Sequence, residues 1–154
     1  MRTLERILTE HPFFHGFELR YSKTIASCGK QVRIEKGTHL YHQGEAADTF
    51  YILRHGRVGL ELPAQHGPIL FHTEHPGGII NPSWIAPPFR CSSDARALDT
   101  SIAIALDADC LRKKCEADHN LGYELMKRFV PVLVQRLTEA RFQVLDVYGT
   151  GTQG

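Results

Sequence analysis

The spacing of apolar residues changes twice along the chain. Up to about residue 29 it is helical. Residues 3–8 make a short amphipathic stretch. The run His11-Pro12-Phe13-Phe14-His15-Gly16-Phe17 interrupts it, and its three Phe pin the break to a core. Residues 18–27 predict a second helix, stopped by Gly29. From Lys30 the period becomes strand-like. Gln31-Val32-Arg33-Ile34-Glu35 alternates cleanly, and Lys36-Gly37 turns. Further strands are expected at 38–42, 49–53, 57–62, 69–73, 79–80, 95–98 and 102–106. That makes about eight short strands separated by glycine-bearing turns, the pattern of an antiparallel barrel or jelly roll.

Asp107 returns the chain to helical spacing as a good N-cap, with Leu111 opening the apolar face. Asn120 is expected to start another helix. Pro131 lies inside that helix, so it kinks there or a new helix begins. Val130, Leu133, Leu137, Ala140, Val144 and Val147 follow at steps of three and four, a seam of about two and a half heptads. The seam packs on the roll or against a second copy. A single seam on a terminal helix after a complete roll favours the homodimer. The expected organisation is a helical segment at 1–29, a roll at 30–106, helices at 107–148 and a tail at 149–154.

Composition narrows the function classes. With 154 residues, one core suffices without metal or disulfide staples. Lys plus Arg is 18 and Asp plus Glu 17, a net charge of +1, so no basic surface supports direct nucleic-acid binding. No run reaches a membrane span, and Met1-Arg2-Thr3-Leu4-Glu5-Arg6 leads into no apolar signal core, which assigns the chain to the cytoplasm. There the four cysteines, Cys28, Cys91, Cys110 and Cys115, are expected to be reduced thiols. Their spacing matches no zinc knuckle. His39 and His42, like His72 and His75, are three apart and would face opposite sides of a strand, so no metal site is expected. No nucleophile with its base can be argued from spacing, and the chain is not expected to be an enzyme.

Helix, eight-stranded roll and paired C-terminal helices, in that order, resemble the cyclic-nucleotide-binding domain family of catabolite-activator-type regulators. The residues carrying the likeness are ordered. Gly37 precedes Gln43-Gly44-Glu45-Ala46-Ala47-Asp48, and Phe50-Tyr51-Ile52-Leu53 precedes Gly56 and Val58. Pro76-Gly77-Gly78 looks like the turn before the family's phosphate-binding cassette. The likeness spans roughly residues 10–148. It implies an α+β fold: an antiparallel eight-stranded β-roll (jelly-roll-like, a double-stranded β-helix) between helices, the last a dimerisation helix. It also implies a regulatory or sensor role.

In the family a cyclic phosphate meets a short helix N-terminus and an Arg, while a Glu holds the ribose hydroxyl. The corresponding segment here departs from that pattern. Asn81-Pro82 stands where Gly-Glu belongs, and no Glu lies between Glu74 and Glu116. Counting back from Ala97, the phosphate Arg falls at Cys91, with Arg90 one residue off; Ser92 and Ser93 stand where small residues follow. Asn81 or Ser83 can cap a short helix that begins at Pro82. Trp84 packs in the core or faces a ring ligand. Arg96 is a ligand residue if it points into the roll and a solvated side chain if it points out. Losing the Glu alone removes about 1–3 kcal/mol, or about 5- to 150-fold in affinity. Cyclic AMP or cyclic GMP is therefore expected to bind weakly or not at all, leaving another small anionic ligand as the candidate.

Two functions follow. One is a stand-alone sensor that passes ligand state from Asn81, Ser83, Trp84, Arg90, Ser92, Ser93 and Arg96 to the C-terminal helices, with Pro131 as hinge. The other is a dimeric interaction module without ligand, docking on an unidentified protein partner. The helix-turn-helix that regulators of this family carry would need far more than the six residues after Tyr148.

Overall fold

The computed structural model describes the backbone of residues 3–151 and the side chains of 3–146. All eight expected strands form. They are β1 (Gly29–Ile34), β2 (His39–Tyr41), β3 (Thr49–His55), β4 (Val58–Leu62), β5 (Ile69–Glu74), β6 (Ile79–Ile80), β7 (Asp94–Ala97) and β8 (Ser101–Asp107). They make two four-stranded antiparallel sheets, ordered β1-β8-β3-β6 and β2-β7-β4-β5. Their inner faces share one core, with Phe50, Ile52, Val58, Ala95, Ile104 and Leu106 almost fully buried. Alternation is plainest in β7, where Ala95 and Ala97 are buried while Asp94 and Arg96 face the other way. The corners need glycine for a physical reason. At Gly56 φ is +90°, and an added Cβ would lie 2.3 Å from Ser101 Oγ, so no side chain fits.

Helices close both ends. Before the roll come α1 (Leu4–Glu10), a 3-10 turn at Pro12–Phe14 and α2 (Leu19–Ala26). Thr3 caps α1 by accepting from the Arg6 amide at 3.3 Å. Phe13, Phe14, Phe17 and Tyr21 form a chain of edge-on ring contacts, which Phe13 extends to Phe129 in the last helix. After the roll, Asp107 caps α3 (Ala108–Ala117), its carboxylate accepting from the Cys110 amide at 2.8 Å. The last helix, α4 (His119–Gly151), runs unbroken through Pro131. It also runs past residue 149, where the tail was expected to begin; residues 152–154 lie outside the described residues.

One cysteine expectation is overturned. Cys28 and Cys110 form a disulfide, with Cα atoms 5.7 Å apart; Cys91 and Cys115 remain free. Strand register explains the pairing. β1 pairs β8 with Gly29 opposite Leu106, and the Asp107 amide donates to the Cys28 carbonyl at 2.8 Å. The first turn of α3 then swings Cys110 back over Cys28. Sequence spacing alone hides this proximity, because 82 residues separate the two. Among the described residues no helix is long and apolar enough to cross a membrane.

Candidate functional site

A cavity of about 180 Å³ lies between the inner face of β2-β7-β4-β5 and the middle of α4. Four of the expected residues, Asn81, Ser83, Ser92 and Ser93, line it, with Pro82 at the same wall. Tyr41 and Leu60 form its floor, and α4 contributes Arg136, Glu139 and Gln143.

The segment after β6 is built around an inward asparagine. Asn81 has φ +70° and ψ +59°, the left-handed region that Asn tolerates better than other non-glycine residues. Its side chain does not cap the 3-10 turn at Pro82–Ile85. Its amide instead donates to the Thr49 carbonyl at 2.9 Å and to Cys91 Sγ at 3.5 Å. The capping role expected of Asn81 or Ser83 is therefore not filled: this corner needs positive φ, and the amide is consumed in holding β3 to residue 91. Cys91 is 3% exposed and sits where the family's arginine was counted. Its backbone is locked to the opposite hairpin, with its amide on the Glu45 carbonyl at 2.8 Å and its carbonyl accepting from the Gly44 amide at 2.9 Å. Burial raises the thiol's pKa.

The three large expected residues lie outside this cavity. Trp84 is 1% exposed, stacked on Phe50 with centroids 4.6 Å apart and edge-on to Phe129 at 5.4 Å. It is core, because Phe50 of β3 stacks on the indole and Phe129 of α4 packs edge-on against it. Arg90 is exposed, its backbone bridged to Ala46. Arg96 points outward from β7, opposite to buried Ala95 and Ala97. There its guanidinium makes a bidentate pair with Glu61 at 2.8 and 3.1 Å, and this pairing holds the Glu61 carboxyl below its usual pKa. A sheet residue flanked by two buried alanines had to face the other way.

The charged groups at the cavity come from elsewhere. Arg136 Nη2 donates to Glu74 Oε1 and, at 2.8 Å, to the Ile79 carbonyl. His72 lies between two carboxylates, Nε2 at 2.8 Å from Glu74 and Nδ1 at 3.1 Å from Glu139. Gln143 donates to the Phe71 carbonyl at 2.6 Å. β5, β6 and α4 are thus laced together by polar contacts along one cavity wall. Sequence reasoning missed Arg136, Glu139 and Gln143 because it followed the apolar seam. The signal was a second stripe on the same helix, Phe129, Val132, Arg136, Glu139 and Gln143, again at steps of three and four.

The expected opposite facing of histidines three apart fails for His39 and His42. β2 ends at Tyr41, the alternation stops there, and the two rings stack at 4.5 Å. Among the described residues no group of three or more His, Cys, Asp or Glu is placed to hold a metal ion.

The seam side chains Val130, Leu133, Leu137 and Val144 are exposed, at 50, 38, 53 and 53%. Ala140 is exposed beside them, while the side chain of Val147 lies outside the described residues. The roll-facing stripe and the seam are different faces of α4; only Leu133 and Ala140 touch the cavity rim.

Residues 31–118 match the cyclic nucleotide-binding domain family, and the chain belongs to it. No curated protein matches. Solved structures similar to it include a candidate cyclic nucleotide-binding protein from Geobacter metallireducens, 24% identical, TM-score 0.78, covering 89% of this chain and 99% of that one. A cyclic nucleotide-binding domain from Methylobacillus flagellatus is 17% identical, TM-score 0.77, covering 94% of this chain and 82% of that one. The sensor domain of the transcriptional regulator DNR from Pseudomonas aeruginosa is 18% identical, TM-score 0.70, covering 90% and 96%. At these identities the likeness is one of fold.

Proposed function

We propose that this member of the cyclic nucleotide-binding domain family is a cytoplasmic regulatory sensor. A small anionic ligand would enter the cavity between the roll and α4 and change how the second half of α4 lies. The observation that carries this is the lining: Ser83, Ser92 and Ser93 from the roll side face Arg136, Glu139 and Gln143 from α4 across one cavity. A ligand there touches both bodies at once and biases their docking.

The chemistry differs from the family pattern. Cys91 takes the counted place of the phosphate arginine, and Pro82 takes that of the ribose acid. The cation facing the cavity is Arg136, already latched to Glu74. An anion must compete with that carboxylate, so ordinary cyclic nucleotides bind weakly. The ligand state would pass along α4 to a second copy of the chain. Exposed Val130, Leu133, Leu137, Ala140 and Val144, continued to Val147, provide the homodimer seam.

Thermal shift with cyclic AMP, cyclic GMP and inorganic phosphate at about 1 mM tests the sensor. A probe at about 100 times its dissociation constant adds roughly 2.7 kcal/mol, or about 5–10 °C; a weaker one gives a smaller rise that grows with concentration. The rise is expected to vanish in Arg136→Gln measured against its own baseline. A rise that persists in Arg136→Gln overturns the site. No rise with any probe favours the second reading, a dimeric interaction module. That reading has its own observation: the cavity is below the roughly 300–1,000 Å³ usual for ligand sites, and its cation is satisfied within the chain.

A further inference from the structure

We propose that Cys28 and Cys110 form a thiol–disulfide exchange site, opened by a small cytoplasmic dithiol, that releases the N-terminal end of α3 from the roll. The pair lines a cleft of about 460 Å³ together with Ser27, Lys30, Thr49 and Asp107. Cys110 is partly exposed there, while Cys28 is 7% exposed. A small reagent therefore reaches Cys110 first, with Cys28 as the leaving sulfur beside a lysine that also lines the cleft. The pair is also held ready to close again. The β1–β8 register and the Asp107 amide on the Cys28 carbonyl keep Cys28 at the end of β8 without help from the sulfur bond, so Cys110 meets it again whenever the loosened first turn of α3 redocks.

The chemistry balances with the dithiol as reductant. Its thiolate attacks Cys110 Sγ, the disulfide breaks and Cys28 leaves as a thiolate that takes a proton from water. The reductant's second thiol then attacks the mixed disulfide, and Cys110 leaves and is protonated. Two electrons pass to the protein pair, and the reductant ends as a disulfide. The other cysteines do not compete. Burial raises the Cys91 thiol, and Cys115, packed near Gly122 of α4, is pushed up to about 11.

The consequence reaches the cassette segment through α3. Arg112 of α3 donates to the Trp84 carbonyl at 2.7 Å and lies 4.4 Å over the Phe89 ring, and Cys115 of α3 meets α4. α3 therefore bridges residues 84–89 and the last helix alongside the direct Trp84–Phe129 contact, and the disulfide ties its first turn to the residue before β1. The site stands whether or not the cavity binds a ligand.

Alkylation counting and amide exchange test it on the whole chain. Protein exposed to oxidised glutathione, then denatured and alkylated, should carry two labels, on Cys91 and Cys115; native treatment with dithiothreitol first should give four. Four labels without reductant overturn the pair. Two labels after native reductant overturn the exchange site, because a purely structural staple opens only on unfolding. Amides of α3 should exchange about tenfold faster or more after reduction, with those of β3 and β8 unchanged. Equal α3 exchange in the two states overturns the release. Cys110→Ser, at the less buried sulfur, should exchange like the reduced protein and ignore dithiothreitol; continued sensitivity in that variant also overturns the proposal.

Discussion

The two halves of α4 are held in different ways. Up to residue 132 the helix is fastened by apolar burial: Leu121, Leu125 and Phe129 are at most 1% exposed, and Phe129 packs edge-on against Phe13, Phe50 and Trp84. Beyond it the helix touches the roll through Arg136, Glu139 and Gln143, all polar contacts to β5 and β6. Apolar burial costs several kcal/mol to undo, whereas each polar contact can be exchanged for water or a ligand at about 1 kcal/mol. The helix is therefore an anchor continued into an arm. Pro131 marks the join, lacking the N–H that would bond one turn back.

The largest effect should come from the anchor. Phe129→Ala is expected to cost about 3–5 kcal/mol, read in a denaturant midpoint and a melting temperature lower by roughly 6–20 °C. A loss under about 1 kcal/mol would erase the contrast between the halves. Cutting the arm's latch should cost less. Arg136→Gln is expected to lose about 1–3 kcal/mol and to speed amide exchange in 133–146 while leaving 121–130 slow. Uniform exchange along the helix would show one body, not two.

The outer face of the roll supplies a control touching neither half. Glu61 has its carboxyl below the ordinary 4.5 because Arg96 hydrogen-bonds its ionised form. A depressed carboxyl stabilises the fold above its unfolded value and loses that stabilisation as pH falls through the lower folded value. Acid titration should show a loss of about 1 kcal/mol below pH 4.5, absent in Arg96→Gln, with α4 exchange unaffected. The smallest effect on stability belongs to the seam. Leu137→Glu should change unfolding of the isolated subunit by no more than about 0.5 kcal/mol. It should still convert a dimer to a monomer in sedimentation, whereas an unchanged sedimentation coefficient would remove α4 from the dimer interface.

Strand positions were legible because alternation and turn glycines are local signals, and every strand formed within a few residues of its expected place. The seam was legible for the same reason, being a local period. The cavity was legible only at Asn81, Ser83, Ser92 and Ser93, which share one short segment. Arg96 and Trp84 needed knowledge of which face their neighbours bury. Arg136 and the Cys28–Cys110 pair needed the register between elements far apart in sequence, which no local pattern contains. Asn81 is the instructive case. A residue proposed for its capping side chain is used for its backbone, in a left-handed corner, and its amide is spent on Thr49 and Cys91.

Joined at Cys28 and Cys110, the chain between them is a covalent ring that contains every strand of the roll. The helices at either end hang from its clasp as two tails. A single protease cut in the exposed hairpin tip at 63–68 would open the ring without dividing the molecule, and even in denaturant both pieces would travel as one until a reductant parts them. In the oxidised protein, then, the sheets are a closed loop whose continuity does not depend on any one peptide bond; in the reduced protein it depends on all of them.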